Sequence, residues 1–270
     1  MSRSTEGVRM EISISLEELA LLLNLMGYPI VAKGFLVSQL GNIAAEEERG
    51  RLMAANHTLL AKDIITLEEG QLHIAAPYSE LLDLLPNNDY AVRCILVSQG
   101  DTQRMLTYYI RGEQIVEQQI AFGVVHSLRT ISSLDEVSEA IYSLLEIHTL
   151  QGMDHVTEYL SQAELEGLTT VYTDMTAASN RLQKLGWAKE TADYFAQDNF
   201  EQRRRAGLLR VVMNPEQSKP SERGYMLLTG SSGRAWLMIL NDADGGSPLI
   251  VQPATNDLVR RETMILMEPL

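Results

Sequence analysis

Apolar and polar residues alternate from Glu11 to Ser15, the period of a short half-buried strand. The period then changes. Leu16, Leu19, Ala20, Leu23 and Met26 recur at helical spacing and form one apolar face. Ser15 and Glu18 stand three residues apart at its start, the pattern of a capping box, and Gly27 and Pro29 stop it. A second helix is predicted from Glu46 to Leu60, with Leu52, Ala55 and Leu59 on its inner face. The run IITLEEGQLHI predicts two tiny strands about a Glu69-Gly70 turn. Ser79 is expected to cap a short helix, ELLDLL, ended by Pro86. Helix, small wing and helix give this region the outline of a winged helix.

From Tyr90 the pattern becomes strand-like. AVRCILVS, RMLTYYIR and QIVEQQIAFGVV are β-branched and aromatic-rich, and QGDTQ and GEQ suit the turns between them. A helix follows, boxed by Ser133 and Glu136, with Leu134, Val137, Ile141, Leu144 and Leu145 inward. The remainder repeats this order. Helices are predicted over Met153–Glu166, Thr173–Leu185 and Ala188–Arg205. Next come the strand-like runs GLLRVVMN, YMLLTG, RAWLMIL and PLIVQPA, then a helix capped by Thr255 and reaching Met267. CILVSQGDTQRMLTYYI and MLLTGSSGRAWLMIL share the order strand, polar turn with glycine, arginine, strand. The expectation is an α+β chain of two similar repeats, residues 1–148 and 149–270.

Charge narrows the partners. Residues 1–148 hold 10 Lys and Arg against 20 Asp and Glu, and the rest 12 against 16, for a net charge of -14. Both parts repel nucleic-acid backbones and anionic membrane surfaces on average. A DNA-reading winged helix needs a basic recognition helix, and the stretch 39–86 offers EEER and a single lysine, Lys62. One cysteine, Cys94, rules out an intrachain disulfide and suits a cytoplasmic protein. The first ten residues lack the apolar stretch of a signal peptide, and no run reaches the length of a membrane span.

Candidate chemistry is sparse. Gly230-Ser231-Ser232-Gly233-Arg234 has the glycines of a phosphate loop, but it leads into the strand-like RAWLMIL and lacks the Gly-Lys-Ser/Thr ending. A hairpin turn is the better reading. The histidines, at 57, 73, 126, 148 and 155, form no ligand-spaced pair, and only His148 and His155 could approach each other. EEERGR at 46–51 reads as a solvated helix face. NDADGG at 241–246 reads as a turn, without the ligand series of a calcium loop. Arg203–Arg205 are expected at a helix C-terminus, where positive charge suits the dipole. No metal, cofactor or catalytic residue is assigned. Trp187, Tyr194, Phe195 and Phe200 lie on or beside one helical segment; such aromatics are more often core than interface, but in a chain with 6% aromatics they are also the candidate partner-binding anchor.

Three stretches carry a resemblance to a known family. LEELALLLNLMGYPI is similar to the leucine-rich opening helix of the EspG-type proteins of ESX (type VII) secretion. LMAANHTLLAKDIITLEEGQLHIAAPYSELLDLLPNNDYAVRCIL resembles their helix, wing, helix and first strand. PLIVQPATNDLVRRETMIL resembles their last strand and helix, including the step from Val251 to Ala254. Residues 149–205 have no counterpart among these motifs. The resemblance implies a quasi-two-fold α+β fold, with a central antiparallel sheet flanked by helical bundles. It also implies a non-enzymatic cytosolic chaperone for a helical secreted protein, with a homodimer open. On that analogy the IRGEQI hairpin, with Ile110, Arg111 and Glu113, joins the aromatic helix as an expected contact surface. Two other readings stand beside it: a winged-helix regulator with a duplicated sensor domain, and an enzyme with an unrecognised site. The first of these demands a positive face, the second a deep pocket with converging polar groups.

Overall fold

The computed structural model describes residues 10–98, 102–150, 156–170, 174–212, 221–240 and 248–268. The chain divides into two compact units. The first comprises residues 1–91 and 106–134, the second residues 92–105 and 135–270.

The first unit opens with β1 (Glu11–Ser15), whose alternation is real: Ile12 and Ile14 are buried while Glu11 and Ser13 face out. Ser15 then caps α1 (Leu16–Leu25). Its hydroxyl accepts from the Glu18 amide, and the Glu18 carboxylate accepts from the Ser15 amide, as the spacing predicts. Leu16, Leu19, Leu22 and Leu23 are fully buried, each contributing about 1.5–3 kcal/mol of apolar transfer. Gly27 turns the chain with φ +88°, but Pro29 does more than end α1. It is the first residue of α2 (Pro29–Leu40), where its fixed φ suits a helix start and its missing N–H costs nothing.

α3 (Ala45–Ala61) follows, then the hairpin β2 (Ile65–Glu68) and β3 (Gln71–Ile74). Its turn residues Glu69 and Gly70 both have positive φ, as a two-residue turn that follows strand twist requires. α4 (Ala76–Asp83) starts earlier than the sequence suggests. Ala75 is its N-cap and Pro77 lies in its first turn, so Ser79 is inside the helix and donates to the Ala76 carbonyl instead of capping.

The last three strands of this unit are β5 (Thr102–Arg111), β6 (Gln114–Ala121) and β7 (Val125–Ile131); β5 enters the unit at Leu106. The order is β1-β7-β6-β5. β7 is antiparallel to both neighbours, with Ile14 opposite His126 and Ile12 opposite Leu128. Tyr109, Val116 and Leu128 join the leucines of α1 and α4 in one core.

The second unit takes up β4 (Tyr90–Ser98) from Val92 and α5 (Leu134–Leu145) from Asp135. α5 thus belongs to this unit, although the sequence repeat places it in residues 1–148. β8 (Glu158–Leu160) and α6 (Gln162–Thr170) replace the single helix expected over Met153–Glu166; residues 151–155 lie outside the described set. Ser161 and Glu164 form a second capping box between strand and helix. α7 (Met175–Lys184) is capped by Asp174.

α8 (Lys189–Phe200) is shorter than expected, because Arg204 and Arg205 open β9 (Arg204–Val212). β10 (Ser221–Thr229), β11 (Ala235–Leu240) and β12 (Leu249–Pro253) complete an antiparallel meander. The strand order is β4-β9-β10-β11-β12-β8. Thr255 caps the closing helix α9 (Asn256–Met267), as the sequence indicates.

Helices α6 to α8 and one sheet face share a core of Leu160, Leu182, Trp187, Phe195, Trp236 and Val251. The other face meets α9, where the buried Tyr225 hydroxyl lies 2.6 Å from the Thr263 hydroxyl. Arg260 of α9 stacks over the Tyr142 ring of α5. The fold is α+β with antiparallel sheet, and in each unit a short strand leads through a Ser-x-x-Glu box into the helices and pairs with the last meander strand.

Candidate functional site

The Gly-Ser-Ser-Gly-Arg segment is the turn of the β10–β11 hairpin, with Thr229 opposite Ala235. It also has a receptor role. Asp198 of α8 is fully buried, and its carboxylate accepts from Trp236 Nε1 at 2.8 Å, Arg234 Nε at 2.9 Å and the Ser232 hydroxyl at 3.1 Å. A Cβ on Gly230 would come within 2.1 Å of the Asp198 carboxylate, so only glycine lets the turn close on that group. Gly233 supplies a positive φ of 84°. Arg234 also stacks over Tyr194 at 4.5 Å. The cluster fixes α8 on the hairpin, with the Ser232 hydroxyl, Arg234 Nε and Trp236 Nε1 donating to a protein carboxylate and Arg234 NH2 also to Gln197 Oε1.

The aromatic helix is mostly core. Phe195 packs edge-on against both Trp187 and Trp236, with centroids 5.2 and 5.3 Å away. Trp187 and Phe195 are buried, so their side chains hold the fold and offer no surface to a partner. Tyr194 is half-buried under Arg234, while Phe200 is exposed at the end of α8. At the 110–115 hairpin Ile110 is buried too. Arg111 is held by Asp83 at 2.7 Å, a carboxylate that also accepts from Tyr28 and Asn87. The Arg111 bond is the main reason that the Asp83 carboxyl sits below the usual carboxylate range. Glu113 is exposed at the tip.

The other polar motifs are structural. Glu46–Glu48 fill the first turn of α3, and Arg51 bridges Glu47 and Glu17. Lys62 and Thr58 hold the buried Glu18 carboxylate. Burial opposes its ionisation, but the Lys62, Ser15 and Thr58 bonds outweigh burial and keep it below its usual range. Arg204 pairs with Glu146 at 2.7 Å. Burial pushes the Cys94 thiol up to about 12, which leaves it inert at neutral pH. Among the described residues no three His, Cys, Asp or Glu come together to hold a metal. His57, His73 and His148 are exposed, while His155 and the NDADGG segment lie outside the described residues. No described helix is long and apolar enough to cross a membrane.

Two features went unread in the sequence. The first is the β6–β7 turn, Ala121-Phe122-Gly123-Val124. Val124 N donates to Ala121 O, and Phe122 and Gly123 have φ +54° and +73°. A type I′ turn prefers Asn, Asp or Gly at its first central position. Here that position holds a phenylalanine, 95% exposed, with Val124 also in solvent. A bulky side chain in the left-handed region costs about 1–2 kcal/mol. The turn is nonetheless anchored, because Leu16 N of α1 donates to Val124 O at 2.8 Å. The signal in the sequence was Phe-Gly inside an otherwise strand-like run.

The second feature is a groove of about 390 Å³ in the second unit. β9 and β10 floor it, with Gly224 opposite Leu209 and Met226 opposite Gly207. Each glycine thus faces a large apolar side chain across the ladder. Met238, Leu240 and Leu249 extend the floor, and Gln162, Leu165 and Glu166 of α6 line it as well. Two cations belong to it, the exposed Arg93 and the half-buried Arg205. Arg205 donates one NH2 to Asn199 Oδ1 at 3.3 Å, but its Nε is buried without a partner. Burial lowers the pKa of this guanidinium below its usual value.

No curated protein matches the chain. Among solved structures, the Mycobacterium tuberculosis type VII secretion chaperone EspG5, determined in complex with a PE25–PPE41 dimer, superposes with a TM-score of 0.64. The alignment covers 97% of both chains at 13% identity, so the two share an EspG-like fold. At the level of sequence families, the one described as Uncharacterised protein YfjC matches residues 12–262, and the chain belongs to that family.

Proposed function

We propose that this protein is a non-enzymatic chaperone or adaptor that holds a helical secreted protein in the cytoplasm before export. The shared fold supports a chaperone role, since EspG5 is itself described as one and was determined with a protein dimer bound. The observation that carries the reading is the Phe122 turn. A fully exposed aromatic on strained backbone lowers stability in the free protein, and a phenylalanine there is useful where a partner buries it. An amphipathic helix offers the complementary surface, an apolar stripe able to cover one ring and the neighbouring Val124. Tyr194, Phe200, Arg111 and Glu113 remain candidate secondary contacts.

The test is capture from a lysate of the source cells with tagged protein, read by mass spectrometry beside the Phe122→Gly variant. One helical protein recovered in about equal amount with the wild type and lost with the variant supports the reading. Equal recovery with both removes Phe122 from it, and recovery of DNA alone favours the regulator instead.

A further inference from the structure

The groove on the second unit carries a separate inference, independent of the chaperone reading. Gly207 stands in the middle of β9 without the positive φ that would call for glycine. A Cβ there would meet no heavy atom within 4 Å. Neither backbone nor packing requires a glycine, and the residue weakens its strand. Glycine inside a strand often marks a place where something approaches closely. Gly224 differs, because a Cβ there would lie 2.3 Å from the Leu208 carbonyl oxygen. The hollow above Gly207 is therefore space left open by composition, bounded by Leu209, Met226 and Leu240.

The polar lining of this hollow carries two guanidiniums, Arg93 and Arg205, against one carboxylate, Glu166, which accepts from Gln162. Arg205 lines the hollow with a guanidinium whose charge burial disfavours and whose enclosed Nε–H has no protein acceptor. A buried donor without an acceptor is costly, and an anionic oxygen is the partner that best offsets both penalties. Arg93 adds a second positive charge on the same lining, in a chain whose net charge is -14. The volume falls within the range of small-molecule sites, and the lining matches their usual mix of apolar walls with few polar groups.

We propose that the groove binds an aliphatic carboxylate, its carboxylate paired with Arg205 and its chain lying over Gly207 between Leu209, Met226 and Leu240. Specificity then has two parts. The guanidinium selects the anion, and the apolar floor rewards chain length by about fourfold in affinity per buried methylene.

Isothermal titration of the full chain with decanoate, below its micelle concentration, tests this directly. One-to-one binding is expected, tightening stepwise from hexanoate to decanoate. Decanol should bind at least about tenfold more weakly, since it lacks the charge-assisted bond. Gly207→Leu should abolish binding while the melting temperature holds or rises, because the new side chain fills the hollow. Arg205→Gln should weaken binding by about tenfold or more. No saturable heat with decanoate, equal affinity for decanol, or undiminished binding by a folded Gly207→Leu protein would each overturn the assignment. The alcohol comparison needs no variant, so the proposal stays testable even if Arg205→Gln does not fold.

Discussion

The two units treat the sheet face beneath their helices in opposite ways. In the first, large and polar side chains fill the middle of the face. Tyr109, Gln118 and His126 form a chain across β5, β6 and β7: the tyrosine hydroxyl donates to Gln118 Oε1, and Gln118 Nε2 lies 2.9 Å from His126 Nδ1. Phe35 of α2 meets the His126 ring edge-on, and Ile12, Ile14 and Leu128 close the rest. In the second unit two glycines replace side chains on β9 and β10, and the face is left hollow beside α6. Filling a face with large and polar groups makes that unit sensitive to pH and truncation. Leaving it hollow makes the other tolerant of added volume. The buried carboxylates follow the same contrast: Glu18 reaches a half-exposed lysine, whereas Asp198 is enclosed by Trp236, Arg234 and Ser232.

The largest expected effect lies at Asp198. Asp198→Ala leaves Trp236 Nε1 and the Arg234 guanidinium without their buried acceptor, and should cost about 3–5 kcal/mol in urea unfolding. Next comes His126. Burial holds its pKa down to about 4, against about 6.5 in the unfolded chain. The unfolded state therefore binds the extra proton between these values. Stability should fall by about 3 kcal/mol from this group as pH drops from 6.5 to 4. His126→Gln should flatten the dependence in that window.

Glu18→Gln is expected to cost about 1.5–3 kcal/mol at neutral pH. The native carboxyl is held below its usual range, so its contribution is intact above about 4.5 and disappears as pH falls through the folded value. Smaller and opposite in sign, Phe122→Gly should stabilise the chain by about 1 kcal/mol through relief of left-handed strain. Gly207→Val should add about 0.5–1 kcal/mol, since a β-branched residue in an open strand position gains propensity without a clash. Destabilisation by Gly207→Val would show that the hollow is not the open space the contrast requires.

Much of this architecture was legible in periodicity and caps. The Ser15–Glu18 box, the Glu69-Gly70 turn, α7 and the Thr255 cap all follow from local chemistry that a sequence displays directly. The glycine-serine segment was legible as a turn for the same reason. Its engagement of Asp198 was not, because more than thirty residues separate the partners and only the meeting of α8 with the hairpin joins them. Helix α2 was hidden because Gly27 and Pro29 end one helix while Pro29 begins the next. The aromatic cluster misled in the opposite direction. Rarity made Trp187 and Phe195 look like anchors, whereas a helix set against a sheet buries its largest side chains first. The groove left a trace in glycines at 207 and 224, but their registry with Met226 and Leu209 exists only once the strands pair.

The most direct test of the central claim is quantitative capture by wild-type and Phe122→Gly protein from the same lysate, with melting temperatures measured in parallel. A helical partner at about one-to-one is expected with the wild type. A large loss is expected with Phe122→Gly, although the variant melts no lower. Undiminished capture by a variant that is fully folded, or a wild type that retains no protein at all, would contradict it.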